Sequence, residues 1–147
     1  MLPNLDGEAG ADAEQRLEEQ TIVWLTTVAP DGQPQSSPVG YVWDGTTFLI
    51  LSNPEAPKVR NLRANPRVSL NLDLDGDAEH HSVLTIEGTA ELSPAPPGGS
   101  APLTEQEVAA YLDKHLESME WAGLTPEQTF ADFSTAIRVT PTRARCY

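Results

Sequence analysis

A chain of 147 residues, 39% apolar and 21% charged, has the length and composition of one globular domain, spanning residues 1–147. Its formal charge of -13 argues against a nucleic-acid partner, because most of the surface repels phosphate. No apolar run is long enough for a membrane span, the single cysteine (Cys146) excludes an intrachain disulfide, and the acidic start lacks an export signal, so a cytoplasmic protein is expected.

Residues 1–20 read as an N-terminal arm, frayed over 1–11 and helical over 12–20, with Leu17 the main packing residue. Residues 22–28, rich in β-branched side chains, predict a strand. Pro30, Asp31 and Gly32 supply a turn, and a second strand over 35–43 completes a hairpin. Pro38 and Gly40 give that second strand a bulged or edge position, with backbone open to another molecule. Asp44-Gly45 signals a two-residue hairpin leading into a third strand over 46–52, apolar on both faces and therefore expected at the centre of the sheet.

The next segment, SNPEAPKVRNLRANP, stands apart. It and Arg67 beyond it gather four of the nine basic residues, Lys58, Arg60, Arg63 and Arg67, and its only acid is Glu55. Pro54 and Pro57 end the strand, Asn53 is a candidate cap, and Lys58 falls in the first turn of a short helix, where unpaired N–H groups and the helix dipole favour an anion. Arg60, Arg63 and Arg67 share one side, while Val59 and Leu62 turn inward. A solvated basic face explains the same residues, and composition alone leaves both readings open.

Residues 67–74 alternate cleanly, with Val68, Leu70, Leu72 and Leu74 on one face, and 82–92 repeat the pattern with Leu84, Ile86, Ala90 and Leu92 inward and Gly88 marking a bulge or close approach. Residues 93–133 form a loop and helical insertion before the last strand. SPAPPGGSAP is the loop, Thr104 and Glu107 make a capping box for a helix to about residue 119, and a second helix starts at Thr125-Pro126. On the longer helix Val108, Tyr111, Leu112, His115, Leu116 and Met119 form one apolar stripe that packs on the barrel or on a partner. Residues 135–140 are the last strand, followed by a basic tail.

Common catalytic and nucleotide-binding motifs are missing. Adjacent His80 and His81 point to opposite faces of a strand, and nothing nearby completes a metal site, so no metal is assigned. His115 reads as a packing residue, and Ser36 and Ser37 as hydrogen-bond donors rather than nucleophiles.

Three stretches, LTTVAPDGQPQSSPVGYVWDG, FLILSNPEAPKVRNLRANPRVSLNL and LTIEGTAEL, resemble the pyridoxamine-phosphate-oxidase-like split-barrel flavoproteins. The spacing from Pro-x-Ser-Ser-Pro-Val through Lys-x-x-Asn-Leu to Asn-Pro, with the closing RVTPTRAR, is similar to the actinobacterial subgroup that uses the deazaflavin coenzyme F420. The resemblance implies a mainly β fold with peripheral helices, a six-stranded antiparallel split β-barrel, working as a homodimer with its cofactor held between protomers. It implies that Ser52, Asn53 and Lys58 meet the cofactor phosphate, that Asn61 braces the loop, and that Gln35, Ser36, Ser37, Pro38 and Val39 lie along the ring. The implied activity is hydride transfer from reduced F420 to a conjugated small molecule, with no side chain required as a catalytic residue. An FMN-dependent oxidoreductase and a non-catalytic F420- or flavin-binding carrier are the alternatives. Two departures stand out: Ala56-Pro57-Lys58 replaces the Ser-Arg-Lys of the vitamin-pathway oxidases, and Gly40 replaces a frequent large aromatic, which widens the substrate side of the expected pocket.

Overall fold

The structure, a computed structural model, describes residues 1–72 and 83–147. In chain order the elements are α1 (Gly7–Glu19), β1 (Ile22–Val28), β2 (Pro34–Gly40), β3 (Val42–Trp43), β4 (Phe48–Ser52), α2 (Pro57–Ala64), β5 (Arg67–Asn71), β6 (Leu84–Pro94), α3 (Glu105–Trp121), α4 (Pro126–Asp132) and β7 (Thr135–Cys146). All strand pairs are antiparallel, in the order β2-β1-β5-β6-β7-β4-β3. β2 and β3 stand at opposite ends of that order, yet only Tyr41 separates them in the chain. At about 3.3 Å per residue the two ends must lie side by side, so the sheet curls into a barrel with one open seam.

That seam accounts for the strand count, seven where six were expected. The expected strand over 35–43 breaks at Tyr41, whose fully buried side chain donates a hydrogen bond from its hydroxyl to the Leu17 carbonyl at 2.8 Å. Before the break the chain pairs with β1, and after it with β4. β2 is an edge strand, as its proline requires. The β1–β2 hairpin forms as expected. The β3–β4 turn uses residues 44–47 rather than two residues, because the Asp44 carboxylate accepts from the Thr46 and Thr47 backbone N–H groups at 2.8 and 2.7 Å and closes a wider loop.

β4 stands next to the end of the sheet order rather than at its centre, and it is nevertheless buried throughout. Phe48 and Ile50 enter the barrel core with Val23, Leu25, Leu70, Ile86 and Val139, while Leu49 and Leu51 lie under α3 with Tyr111 and Met119. Two apolar layers on one strand explain its continuous apolar run. On β6, Gly88 is the close approach that its position implied: a Cβ there would meet the Thr140 carbonyl oxygen at 2.8 Å, and the β6–β7 register shifts between Glu87 and Gly88. β6 extends two residues into the expected loop, to Pro94, and β7 runs on through the basic tail to Cys146, where Arg145 pairs with Glu87 at 3.1 Å. Both capping boxes form, Thr104 with Glu107 and Thr125 with Gln128.

The N-terminal arm is more ordered than its polarity implied. α1 begins at Gly7, Leu2 is 2% exposed, and the Pro3 carbonyl accepts from the Ala144 N–H at 3.2 Å. Leu17 and Ala13 seal one mouth of the barrel, and Glu14 accepts from the Leu2 N–H and the Trp43 indole. Leu74, the loop from Asp75, the start of the expected fifth strand at Ser82, and the His80-His81 pair lie outside the described residues. Among the described residues no helix is long and apolar enough to cross a membrane.

Leu17 is fully buried between α1 and the barrel. Leu17→Ala should therefore destabilise the protein by about 2–5 kcal/mol. Urea denaturation checks this: the midpoint falls at unchanged slope, whereas an unmoved midpoint would mean that α1 does not close the core.

Candidate functional site

The chain leaves β4 through a turn built by its own side chains. Ser52 donates to the Asn53 carbonyl at 3.0 Å, Asn53 Oδ1 accepts from the Glu55 N–H at 2.8 Å, and the Ala56 N–H reaches the Asn53 carbonyl at 3.1 Å. Asn53 thus closes the turn ahead of α2 instead of capping it. The N-cap is Ala56, which has no side chain to offer, and Pro57 follows at the first helical position. The dipole of α2 is therefore unopposed by any side-chain cap. Val59, Asn61 and Leu62 turn inward, while Arg60, Arg63 and Arg67 are exposed.

Lys58 is half-buried, and among the described residues it has neither a hydrogen bond nor a carboxylate partner. Burial alone pulls its pKa below the usual lysine value, since no neighbouring charge offsets the loss of water. Behind it, Asn61 is 5% exposed and donates to Thr27 Oγ1 at 3.0 Å and to Gln35 Oε1 at 2.8 Å, which ties α2 to β1 and to the start of β2.

Two cavities meet at Lys58. The first, about 240 Å3, is lined mostly by polar residues: Thr27, Gln35, Ser36, Ser37, Pro57 and Lys58. The second, about 340 Å3, is largely apolar: Pro38, Val39 and Gly40 form one wall, Leu51, Ser52, Asn53 and Lys58 another, and Tyr111, His115, Met119 and Phe133 the roof. The sequence-predicted residues thus divide between them, Gln35, Ser36 and Ser37 in the polar cavity, Pro38, Val39, Ser52 and Asn53 in the apolar one, and Lys58 in both. Asn61 lines neither and acts from behind, through Gln35.

The roof is what sequence reasoning missed. The apolar stripe of α3 packs on the outer face of β4, and its buried members Tyr111, His115 and Met119 also face the apolar cavity. The imidazole of His115 takes up part of the space over Gly40: a Cβ there would stand 3.2 Å from His115 Cε1. His115 Nε2 lies 2.7 Å from the Tyr41 carbonyl oxygen, and its ring is 4.6 Å from that of Tyr111. A glycine in an edge strand was the available signal, but nothing in the sequence names the residue that approaches it. Beside His115, Lys114 Nζ donates to the Leu17 carbonyl at 2.9 Å and stands 3.9 Å over the Tyr41 ring.

The sequence model of the pyridoxamine 5'-phosphate oxidase family matches residues 10–145. Among solved structures, an F420 reductase is 27% identical over 90% of this chain and 94% of its own, at a TM-score of 0.64. A FAD-binding protein from Mesorhizobium loti (21% identity, 92% and 90% covered, TM-score 0.68) and the heme storage protein HutZ from Vibrio cholerae (20%, 93% and 92%, 0.68) share the fold.

Lys114 gives the site a pH signature. Burial lowers its pKa to about 8, with the charge of Glu18 acting against the shift. An unfolded lysine releases its proton near 10.4, so between these values the unfolded chain holds more protons and stability rises with pH; the contribution is lost as pH falls through about 8. Lys114→Met should remove that rise. The check is the unfolding free energy of parent and variant across this alkaline window: the parent climbs relative to the variant, and parallel curves would place the Lys114 ammonium in open water.

Proposed function

The chain belongs to the pyridoxamine 5'-phosphate oxidase family, and from that premise we propose that it is an F420-dependent reductase acting on a conjugated small molecule. Lys58 carries this reading. A half-buried ammonium with no counter-ion among the described residues is costly unless a ligand supplies the negative charge. It stands in the first turn of a helix without a side-chain cap, and polar and apolar cavities open on either side of it. This donor set fits a ligand with an anionic group and a planar conjugated body. The F420 reductase at 27% identity supports the deazaflavin as that ligand.

When bound, the cofactor supplies the hydride. Lys58 and the N-terminus of α2 would hold the phosphate, with Ser52 and Asn53 beside them. Gln35, Ser36, Ser37, Pro38 and Val39 would present β2 to the ring, and Asn61 keeps Gln35 and Thr27 in place through its two hydrogen bonds. α3 and α4 exclude water from the apolar cavity. No side chain is needed as a nucleophile. FMN is the second candidate, because the family match does not itself fix the cofactor, but Pro57 stands where the vitamin-pathway oxidases carry a phosphate-binding arginine. A carrier that binds F420 without turnover would use the same cavities, and a panel of enones, quinones and tetrapyrroles separates it from a reductase.

The proposed assembly is a homodimer with the cofactor groove between protomers. Ile22 and Phe133, 48% and 38% exposed, line the apolar cavity and leave apolar surface at its mouth for a second copy to cover. Light scattering at micromolar concentration should give twice the chain mass of 15.9 kDa, and the monomer mass in the presence of cofactor would end the shared-groove reading.

Lys58→Ala removes a charge-assisted hydrogen bond worth roughly 1.5–3 kcal/mol, so F420 affinity should fall about tenfold to a hundredfold. The apo melting temperature should not fall, because the variant loses a half-buried, unpaired charge, and Arg143→Ala should bind like the parent. Fluorescence titrations with F420 and FMN side by side read both points. Equal affinities of parent and Lys58→Ala would return α2 to a solvated basic face.

A further inference from the structure

The proposed function gives the α3–α4 roof only the task of excluding water, yet it carries a buried imidazole that this task does not use. His115 is 6% exposed, on a helix fixed by a complete capping box and by the Glu107–Arg138 ion pair at 2.9 Å. Its Nε2 lies 2.7 Å from the Tyr41 carbonyl oxygen. A carbonyl only accepts, so Nε2 must carry the hydrogen, and this fixes the tautomer of the neutral ring. Burial is the main cause that lowers the His115 pKa, the Lys114 charge adds to it, and the Tyr41 hydrogen bond opposes both, so the ring is neutral near pH 7.

Neutral imidazole with its hydrogen on Nε2 presents Nδ1 as an acceptor and nothing else. Nδ1 makes no hydrogen bond among the described residues, and it is not one of their fully sealed side-chain atoms. The ring lines the largely apolar cavity together with Val39, Leu51, Tyr111, Ser118 and Met119. A buried acceptor in a largely apolar wall discriminates by chemistry: a ligand with a matching donor gains a hydrogen bond, and one without it leaves the nitrogen stripped of water and unpaired.

We infer that His115 is the specificity-determining residue of the apolar cavity, selecting a planar aromatic or conjugated ligand that carries an O–H or N–H donor at its edge. Gly40 is part of the device. Any larger residue there would push on the imidazole, since a Cβ already falls 3.2 Å from Cε1 and 3.5 Å from Nδ1.

The inference rests on the cavity as the ring-binding end of the proposed site, but its test uses no deazaflavin, so the two can fail separately. The probes are 2-naphthol and 2-methoxynaphthalene, which share a ring system and differ in the donor, titrated by fluorescence at about pH 7 against the whole chain. The parent should prefer 2-naphthol by about threefold to tenfold, the range of one net hydrogen bond. His115→Phe should lose the preference while keeping its affinity for 2-methoxynaphthalene. His115→Gln should restore it, because the glutamine amide can donate to Tyr41 and still offer an oxygen. Gly40→Ala should weaken the preference with His115 intact. A parent without preference, a preference that survives in His115→Phe, or no saturable binding of either probe overturns the assignment, and melting temperatures confirm that each variant is folded.

Discussion

Tyr41 stands where the chain leaves one end of the sheet and joins the other, and three otherwise separate elements are fastened to it. Its hydroxyl holds the Leu17 carbonyl of α1, its ring lies under the Lys114 ammonium, and its backbone carbonyl faces His115 Nε2 on α3. Burial drives the phenol's pKa upward, because an ionised ring would lose its solvation, while the Arg16 charge acts against the shift. The seam of the barrel, its plugged mouth and the roof of the apolar cavity therefore share one residue. A change there would be felt in the core and at the site together, since contacts in one network are not additive.

The two cavities owe their contrast to strand geometry. Along β2 the polar side chains Gln35, Ser36 and Ser37 come first and the apolar wall of Pro38, Val39 and Gly40 follows, so polarity changes along the strand rather than across it. The change falls opposite Lys58, which both cavities share. The net charge of -13 makes the surrounding field unfavourable to an anion, and long-range steering cannot deliver one. Binding then depends on short-range donors. A half-buried lysine and an uncapped helix start act at distances where screening by salt is weak.

Legibility in the sequence followed the range of the interaction. Strand alternation over Val68 and Leu70, both capping boxes and the β1–β2 hairpin are local, and they were readable because a few adjacent residues decide them. The break at Tyr41 was hidden, since it depends on Leu17 far upstream, and the ordered arm was hidden because Leu2 packs in a core assembled from distant strands. The place of Lys58 in the first turn of α2 was legible from the prolines that precede it. Asn53 misled because an Asx turn and an N-cap use the same side-chain oxygen, and only the backbone path decides which N–H it meets.

Gly40 and His115 show how a small residue acquires meaning only through its partner. Read alone, a glycine in an edge strand means openness, and openness implies room for substrate. The structure fills part of that room from α3, some seventy positions later in the chain, with a ring whose Nε2 is committed to the very next residue, Tyr41. A large aromatic at position 40 and an imidazole at position 115 would compete for the same volume, so each excludes the other. A phenyl ring at position 40 would wall the cavity with carbon alone, whereas the glycine leaves room for the imidazole nitrogen. Exchanging one for the other would change what the cavity can recognise without altering the strand or helix that carries it.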